Sequence, residues 1–252
     1  MRFLVTNDDG IYAPGIRALA ETLTKYGEVV VVAPNQERSG VGHAITVNRP
    51  LRINKAALFP FIKESYIVDG TPADCIKIAI EALNVDVDII VSGINIGANL
   101  GTDVFYSGTV SAAIEGIFQG IPSIAVSLCT NPYDTDIFLD TATYYLTHLL
   151  FELETPLPKH GLLNVNIPGI PQEQVRGIKA TKLGFRKFEN EFEQRLDPRG
   201  KPYYWMKGIP LKPVFDKDDD HLAVEHNYVS VTPIKFDLTD YELLKKLKKD
   251  FE

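Results

Sequence analysis

The chain has 252 residues, of which 45% are hydrophobic and 23% charged, and its formal net charge is −7. That suits one large α/β domain or a domain with an appendage, and no stretch approaches the roughly 20 apolar residues of a membrane span. The acidic balance argues against a binder of nucleic-acid polymers, whose affinity rests on clustered Lys and Arg, so an anion must be met by helix N-termini or a bound cation.

The opening run Phe3, Leu4 and Val5 shows no alternation, which predicts a strand buried on both faces of a parallel sheet. It is expected to enter the fold directly rather than to serve as a leader. The strand ends in Thr6-Asn7-Asp8-Asp9-Gly10. On a continuing strand the two carboxylates would point to opposite faces, but a turn allowed by Gly10 can bring them to one point. Adjacent buried carboxylates repel, and a hard oxygen-preferring cation is one remedy; an Asx-rich turn capping the next helix is the other reading.

Pro14 to Leu23 predicts a helix with Ile16, Leu19, Ala20 and Leu23 on its buried face, and Glu28 to Ala33 a second buried strand. Together these form a right-handed βαβ unit. The polar loop Asn35 to Gly42 leaves the carboxyl end of that strand, which puts Ser39 near the acidic pair. Ile45 to Ile53 and Tyr66 to Val68 read as a paired ribbon, and Thr71 with Pro72 opens a helix to about Leu83.

Val85 to Ser92 is a third long strand, followed by the glycine-rich stretch Gly93 to Gly101 that contains Asn95. Ser107, Gly108 and Thr109 begin another helix, where hydroxyls and free N–H groups can either cradle a phosphate or simply cap. Ile121 to Leu128, a helix from Asp136 to Glu152, and Leu162 to Ile167 continue the alternation. The predicted fold is therefore α/β, a doubly wound, mostly parallel sheet.

Beyond residue 180 the pattern changes. Short apolar-aromatic runs from Ile178 to Tyr204, broken at Asp197-Pro198-Arg199-Gly200, predict a projecting antiparallel hairpin. Asp218-Asp219-Asp220 reads as solvated loop, and Tyr228 to Pro233 as a strand. Thr239 to Glu242 matches a capping box before a terminal helix with the apolar stripe Leu243, Leu244, Leu247 and Phe251. The expected division is a core over residues 1–180 and a C-terminal hairpin, strand and helix over 181–252 used for oligomerisation. Cys75 and Cys129 form no CxxC and are expected to be buried, reduced thiols in a cytoplasmic protein.

Asp8, Asp9, Ser39 and Asn95 thus leave three strand ends with oxygen ligands suited to one divalent ion, beside the helix start at Ser107-Gly108-Thr109. That pairing points to phosphate-ester hydrolysis, with Asp8 or Asp9 accepting the attacking water's proton and with Asn95, Ser107, Gly108 and Thr109 binding phosphate. His43 could serve as an acid for the leaving group or be a structural, hydrogen-bonded residue.

The motifs NDDG (7–10), Ser39-Gly40, GTPADC (70–75), SGIN (92–95) with Gly97 and Asn99, YSGTV (106–110), NVN-x-P (164–168) and YVSVTP (228–233) together resemble the SurE family of stationary-phase survival proteins. The resemblance implies a Rossmann-like core and 5′(3′)-nucleotidase activity on nucleoside monophosphates, with action on short-chain polyphosphate in some members. It also implies Mg²⁺ or Mn²⁺ on Asp8, Asp9, Ser39 and Asn95, and a homodimer or homotetramer with exchanged C-terminal elements. The chain departs at Asp219-Asp220, where the family often has Thr-Asp, and at Asn227, where Gly is common. Competing patterns fit less well. A haloacid-dehalogenase-type phosphatase wants DxD, a receiver domain wants an Asp where Ser92-Gly93 stands, and neither GxGxxG after the first strand nor GxxxxGK[ST] is present.

Overall fold

The computed structural model describes residues 1–57, 59–131, 134–155, 157, 161–185, 188–210 and 216–251. Its centre is a nine-stranded sheet. The strands are β1 (Arg2–Thr6), β2 (Glu28–Pro34), β3 (Ile53–Lys55), β4 (Glu64–Val68), β5 (Ile89–Ile96), β6 (Ser123–Cys129), β7 (Leu162–Pro168), β8 (Ile178–Ala180) and β11 (Val229–Ile234). Their order is β3-β4-β2-β1-β5-β6-β7-β11-β8. From β4 to β7 every pair is parallel, whereas β3 and β11 run antiparallel to β4 and β7. The chain builds outward from β1 in one direction, then returns to β5 and builds in the other. The sheet therefore switches direction between β1 and β5, where Thr6 pairs with Ser92. In such sheets the crevice at the carboxyl ends of the two switch-point strands is the natural ligand site.

Helices cover both faces, as alternating strand and helix require. On one face α1 (Pro14–Leu23) and α4 (Leu139–Phe151) bury Ile16, Leu19, Leu23, Leu146 and Leu149 against Phe3, Val5 and Val31. On the other, α2 (Pro72–Lys77) and α3 (Gly108–Phe118) pack over Leu4, Val30, Ile90 and Ala125. The α1 face is the one read from its apolar spacing. Helix α2 begins in a capping box between Thr71 and Asp74, and a single π-helical turn carries it to Ala82.

Several expectations need correction. Residues 45–52 form no strand, and only Ile53–Lys55 pairs with β4. Strand β5 does not stop at Ser92 but runs to Ile96, with an irregular register between Ser92 and Asn95. Ile178–Ala180 belongs to the main sheet, so the hairpin is confined to β9 (Phe188–Leu196) and β10 (Pro202–Pro210), which form a separate two-stranded sheet. Of the 181–252 unit, residues 186–187, 211–215 and 252 lie outside the described residues. Cys75 is buried, but Cys129 is only partly so, and both are free thiols.

The largest correction concerns the acidic triplet. Asp220 opens the short helix α5 (Asp220–Glu225) and is fully buried. Its carboxylate accepts the backbone N–H groups of Gly101 at 2.7 Å and Gly184 at 3.0 Å and lies 2.8 Å from His221 Nδ1. Asn227, after α5, has φ +63°, a left-handed conformation that Asn tolerates better than most residues where Gly is usual. The terminal helix α6 (Tyr241–Phe251) is capped by Asp240, which accepts the Leu243 N–H at 2.9 Å, rather than by a Thr239 capping box.

Candidate active site

The carboxyl ends of β1, β2 and β5 open into a cleft of about 460 Å³ lined by Asp8, Asp9, Glu37, Ser39, Asn95, Asn99, Asp103, Tyr106 and Ser107, with an apolar flank of Ala13, Pro14, Ile96 and Ala98. The acidic turn leaves β1 as expected. Gly10 takes φ +93°, and Asn7 locks the turn by donating its side-chain N–H to Gly10 O at 3.0 Å. With that geometry both Asp8 and Asp9 reach the same cleft.

Asp8 is almost wholly buried, and its carboxylate accepts the hydroxyl of the fully buried Thr109. The amides of Gly108 and Thr109 also point to it, so the N-terminus of α3 is directed at a side chain of the protein itself. Gly108 is required for this approach, because a Cβ there would stand 2.7 Å from Asp8 Cβ. Burial nonetheless raises the Asp8 carboxyl above its ordinary range, against the pull of Thr109 and those amides. Asp9 is pushed up to about 7, first by burial and then by the Asp8 charge, with the Ile96 amide opposing. Among the described residues its buried Oδ2 atom has no hydrogen-bond partner. Two carboxylates held this way favour the company of a cation.

The other expected ligands converge here as well. Ser39 lines the cleft and donates its hydroxyl to Glu37 at 2.7 Å. Asn95 gives its side-chain N–H to Gly97 O at 2.8 Å, which leaves its amide oxygen as the acceptor offered to a ligand. Ser107 Oγ caps α3 by accepting Val110 N–H at 3.1 Å, so its own proton is free for an acceptor in the cleft. Gly108 and Thr109 differ from their expected part in a phosphate cradle. They are buried behind Asp8, and their polar groups orient it.

His43 is not on the cleft lining. It bonds Glu115 at 3.0 Å and stacks on Phe118 at 5.4 Å, which is the structural role. Sequence reasoning missed Glu37 and Asp103 in the cleft wall, and neither stands in a motif that would have signalled it. It also missed the support beneath the loop. Asn99 N–H bonds Asn166 Oδ1 at 2.9 Å, Asn99 Nδ2 bonds Ser127 at 2.8 Å, and Asn164 and Asn166 both donate to Asn99 O. The available signal was two asparagines at alternate positions of the otherwise apolar strand Leu162–Pro168.

The arrangement is a hard, oxygen-rich site. Among the described residues no group of three or more His, Cys, Asp and Glu is poised to hold a metal. A cation would therefore rest on two carboxylates plus the neutral oxygens of Ser39 and Asn95, and would keep positions open for water or substrate.

Comparison with known proteins identifies the family. The family profile described as Survival protein SurE matches residues 3–190. The protein named 5′-nucleotidase SurE from Alkaliphilus metalliredigens is 51% identical over 250 residues, covering 98% of each chain. Its namesake from Carboxydothermus hydrogenoformans is 49% identical over 251 residues, covering 98% of this chain and 95% of its own. The crystal structure of SurE from Aquifex aeolicus superposes with a TM-score of 0.85 at 40% identity and full coverage of both chains. With a family profile over residues 3–190, relatives about half identical across nearly its whole length and a shared fold, the chain belongs to the SurE family.

Proposed function

We propose that this chain is a divalent-metal-dependent phosphatase that hydrolyses nucleoside 5′(3′)-monophosphates to nucleoside and phosphate, with short-chain polyphosphate as a further substrate. Relatives about half identical over nearly the whole chain carry the name 5′-nucleotidase. The observation that carries the metal is electrostatic. Among the described residues four carboxylates line the cleft and no Lys, Arg or His does, which makes it a place where a phosphate is better met together with a cation. The unpartnered Asp9 Oδ2 fits the same need.

Asp8, Asp9, Ser39 and Asn95 would hold one Mg²⁺ or Mn²⁺, which when bound neutralises the phosphoryl oxygens and lowers the pKa of a coordinated water. A carboxylate oxygen of Asp8 or Asp9 that is not engaged by the ion is suited to take the attacking water's proton. The Ser107 hydroxyl donates to a phosphate oxygen, and the Asn95 side chain helps fix its place. Thr109 and Gly108 keep Asp8 in one orientation.

The test is phosphate release from a panel of nucleoside monophosphates and polyphosphate, assayed with Mg²⁺, Mn²⁺ and chelator. Release should require the ion and vanish in Asp8→Asn with the fold intact by circular dichroism. Full turnover in excess EDTA, or in Asp8→Asn, refutes the reading.

Within the segment 181–252 the hairpin β9–β10 and helix α6 are assigned to assembly as a homodimer or homotetramer through exchanged C-terminal elements, on the strength of the apolar side chains they expose, whereas β11 is a strand of the main sheet. Two free thiols agree with a cytoplasmic setting, and among the described residues no helix is long and apolar enough to cross a membrane.

A further inference from the structure

We propose that the Tyr106 ring is the stacking platform for the substrate's nucleobase and sets the preference for nucleotides over simple phosphate esters. This rests on the phosphatase reading above and names what recognises the non-reacting half of the substrate.

The cleft has two chemistries. Asp8, Asp9, Glu37 and Asp103 make one part anionic, whereas Ala13, Pro14, Ile96 and Ala98 make another apolar. A nucleoside monophosphate has the matching duality, and a volume of about 460 Å³ accommodates one. Among the described residues Tyr106 is the single aromatic on the lining, and it is 69% exposed. Among the described residues it stacks on no other ring.

A large ring left open at the mouth of a cleft costs hydration free energy that a flat ligand can recover. The backbone beneath the ring is fixed on both sides. Tyr106 N–H bonds Asp103 O at 3.0 Å, and Tyr106 O accepts the Gly42 N–H at 3.0 Å. The next residue, Ser107, caps α3, the helix whose start orients Asp8. The platform is therefore anchored one residue from the phosphate end of the site, while its ring remains free to meet a base. Stacking tolerates any base because each has a π face, and the larger purines gain more overlap. The inferred selectivity is broad among bases, purines ahead, and poor for esters without a base.

The experiment compares kcat/KM for adenosine 5′-monophosphate and ribose 5-phosphate in the wild type, Tyr106→Phe, Tyr106→Ala and Tyr12→Ala. Tyr12 is equally exposed but does not line the cleft, so it controls for loss of any surface ring. Tyr106→Ala should lower the value for the nucleotide by roughly 5- to 150-fold, mainly through KM, and leave ribose 5-phosphate unchanged. Tyr106→Phe and Tyr12→Ala should behave as wild type. The fluorescence of 2-aminopurine riboside 5′-monophosphate should be quenched on binding to wild type and not in Tyr106→Ala. An equal loss on both esters, or no loss on either, overturns the proposal. If the wild type hydrolyses both esters equally well, stacking fails while the phosphatase reading stands; if it hydrolyses neither, the phosphatase reading itself fails.

Discussion

The buried hydroxyl of Thr109 donates to the carboxylate of Asp8 across 101 positions of sequence, joining the start of α3 to the end of β1. This bond and the amides beside it oppose the cost of burying the Asp8 charge. Thr109→Val keeps the shape and removes the donor. The expected result is a 10- to 100-fold loss, on the order found for supporting partners of metal ligands, in the concentration of Mg²⁺ giving half-maximal activity or in kcat. Thr109→Ser should restore most of it. A Thr109→Val enzyme with unchanged metal dependence would show that the bond is only packing.

Asp9 carries a pH dependence with a definite sign. Its carboxyl titrates near 7 in the folded protein, against 3.8 as the ordinary value. Between these pH values the folded state holds a proton that the unfolded chain has released. Stability from this group is thus full below about pH 4 and is lost as pH rises through 7. In chelator, the melting temperature of the wild type should fall over that window, and Asp9→Asn should flatten the fall. Adding Mg²⁺ should raise the wild-type melting temperature most at pH 8, because the ion takes the proton's place beside the carboxylate. Parallel profiles for the two proteins in chelator would contradict the assignment.

Asp220 makes the opposite prediction. Burial works against its charge, yet His221 and the amides of Gly101 and Gly184 outweigh burial and hold its carboxyl below the ordinary range. Asp220→Ala leaves those donors buried without an acceptor and should cost about 3–5 kcal/mol in urea unfolding at pH 7. A lowered carboxyl stabilises above its unfolded value and loses that effect as pH falls through its folded one. The gap between wild type and Asp220→Asn should therefore close below about pH 4. Gly101 begins the turn that carries Asp103, so the variant should also raise KM for the nucleotide.

What the sequence revealed and what it concealed divide along physical lines. Uninterrupted apolar runs such as Glu28–Pro34 and glycine-led turns such as Asp8-Asp9-Gly10 declare themselves through local periodicity and backbone need, and they carried the core and the cleft's acidic pair. Asp220 could not declare itself. A triplet of acids looks solvated until a fold brings N–H donors from residues 101 and 184 to one of them. The same holds for Thr109, whose capping position was legible but whose partner on β1 was not. Local chemistry names a residue's capacity, and long-range topology decides which neighbour uses it.

The terminal helix permits a last test. Leu243, Leu244, Leu247 and Phe251 recur on one face of α6 and are 51%, 37%, 39% and 83% exposed, and no described residue of this helix is buried. Eleven residues are too few for a stable isolated helix in water, so α6 needs a surface for its stripe. Its Lys245, Lys246, Lys248 and Lys249 keep the opposite side soluble. If a second copy supplies that surface, Leu244→Glu with Leu247→Glu should shift the mass measured by light scattering toward the monomer and lower the melting temperature. The cleft residues lie on other elements, so a monomer with its metal site intact should still hydrolyse nucleotides. An unchanged mass in the double variant would show that the stripe is not the contact that holds the assembly together.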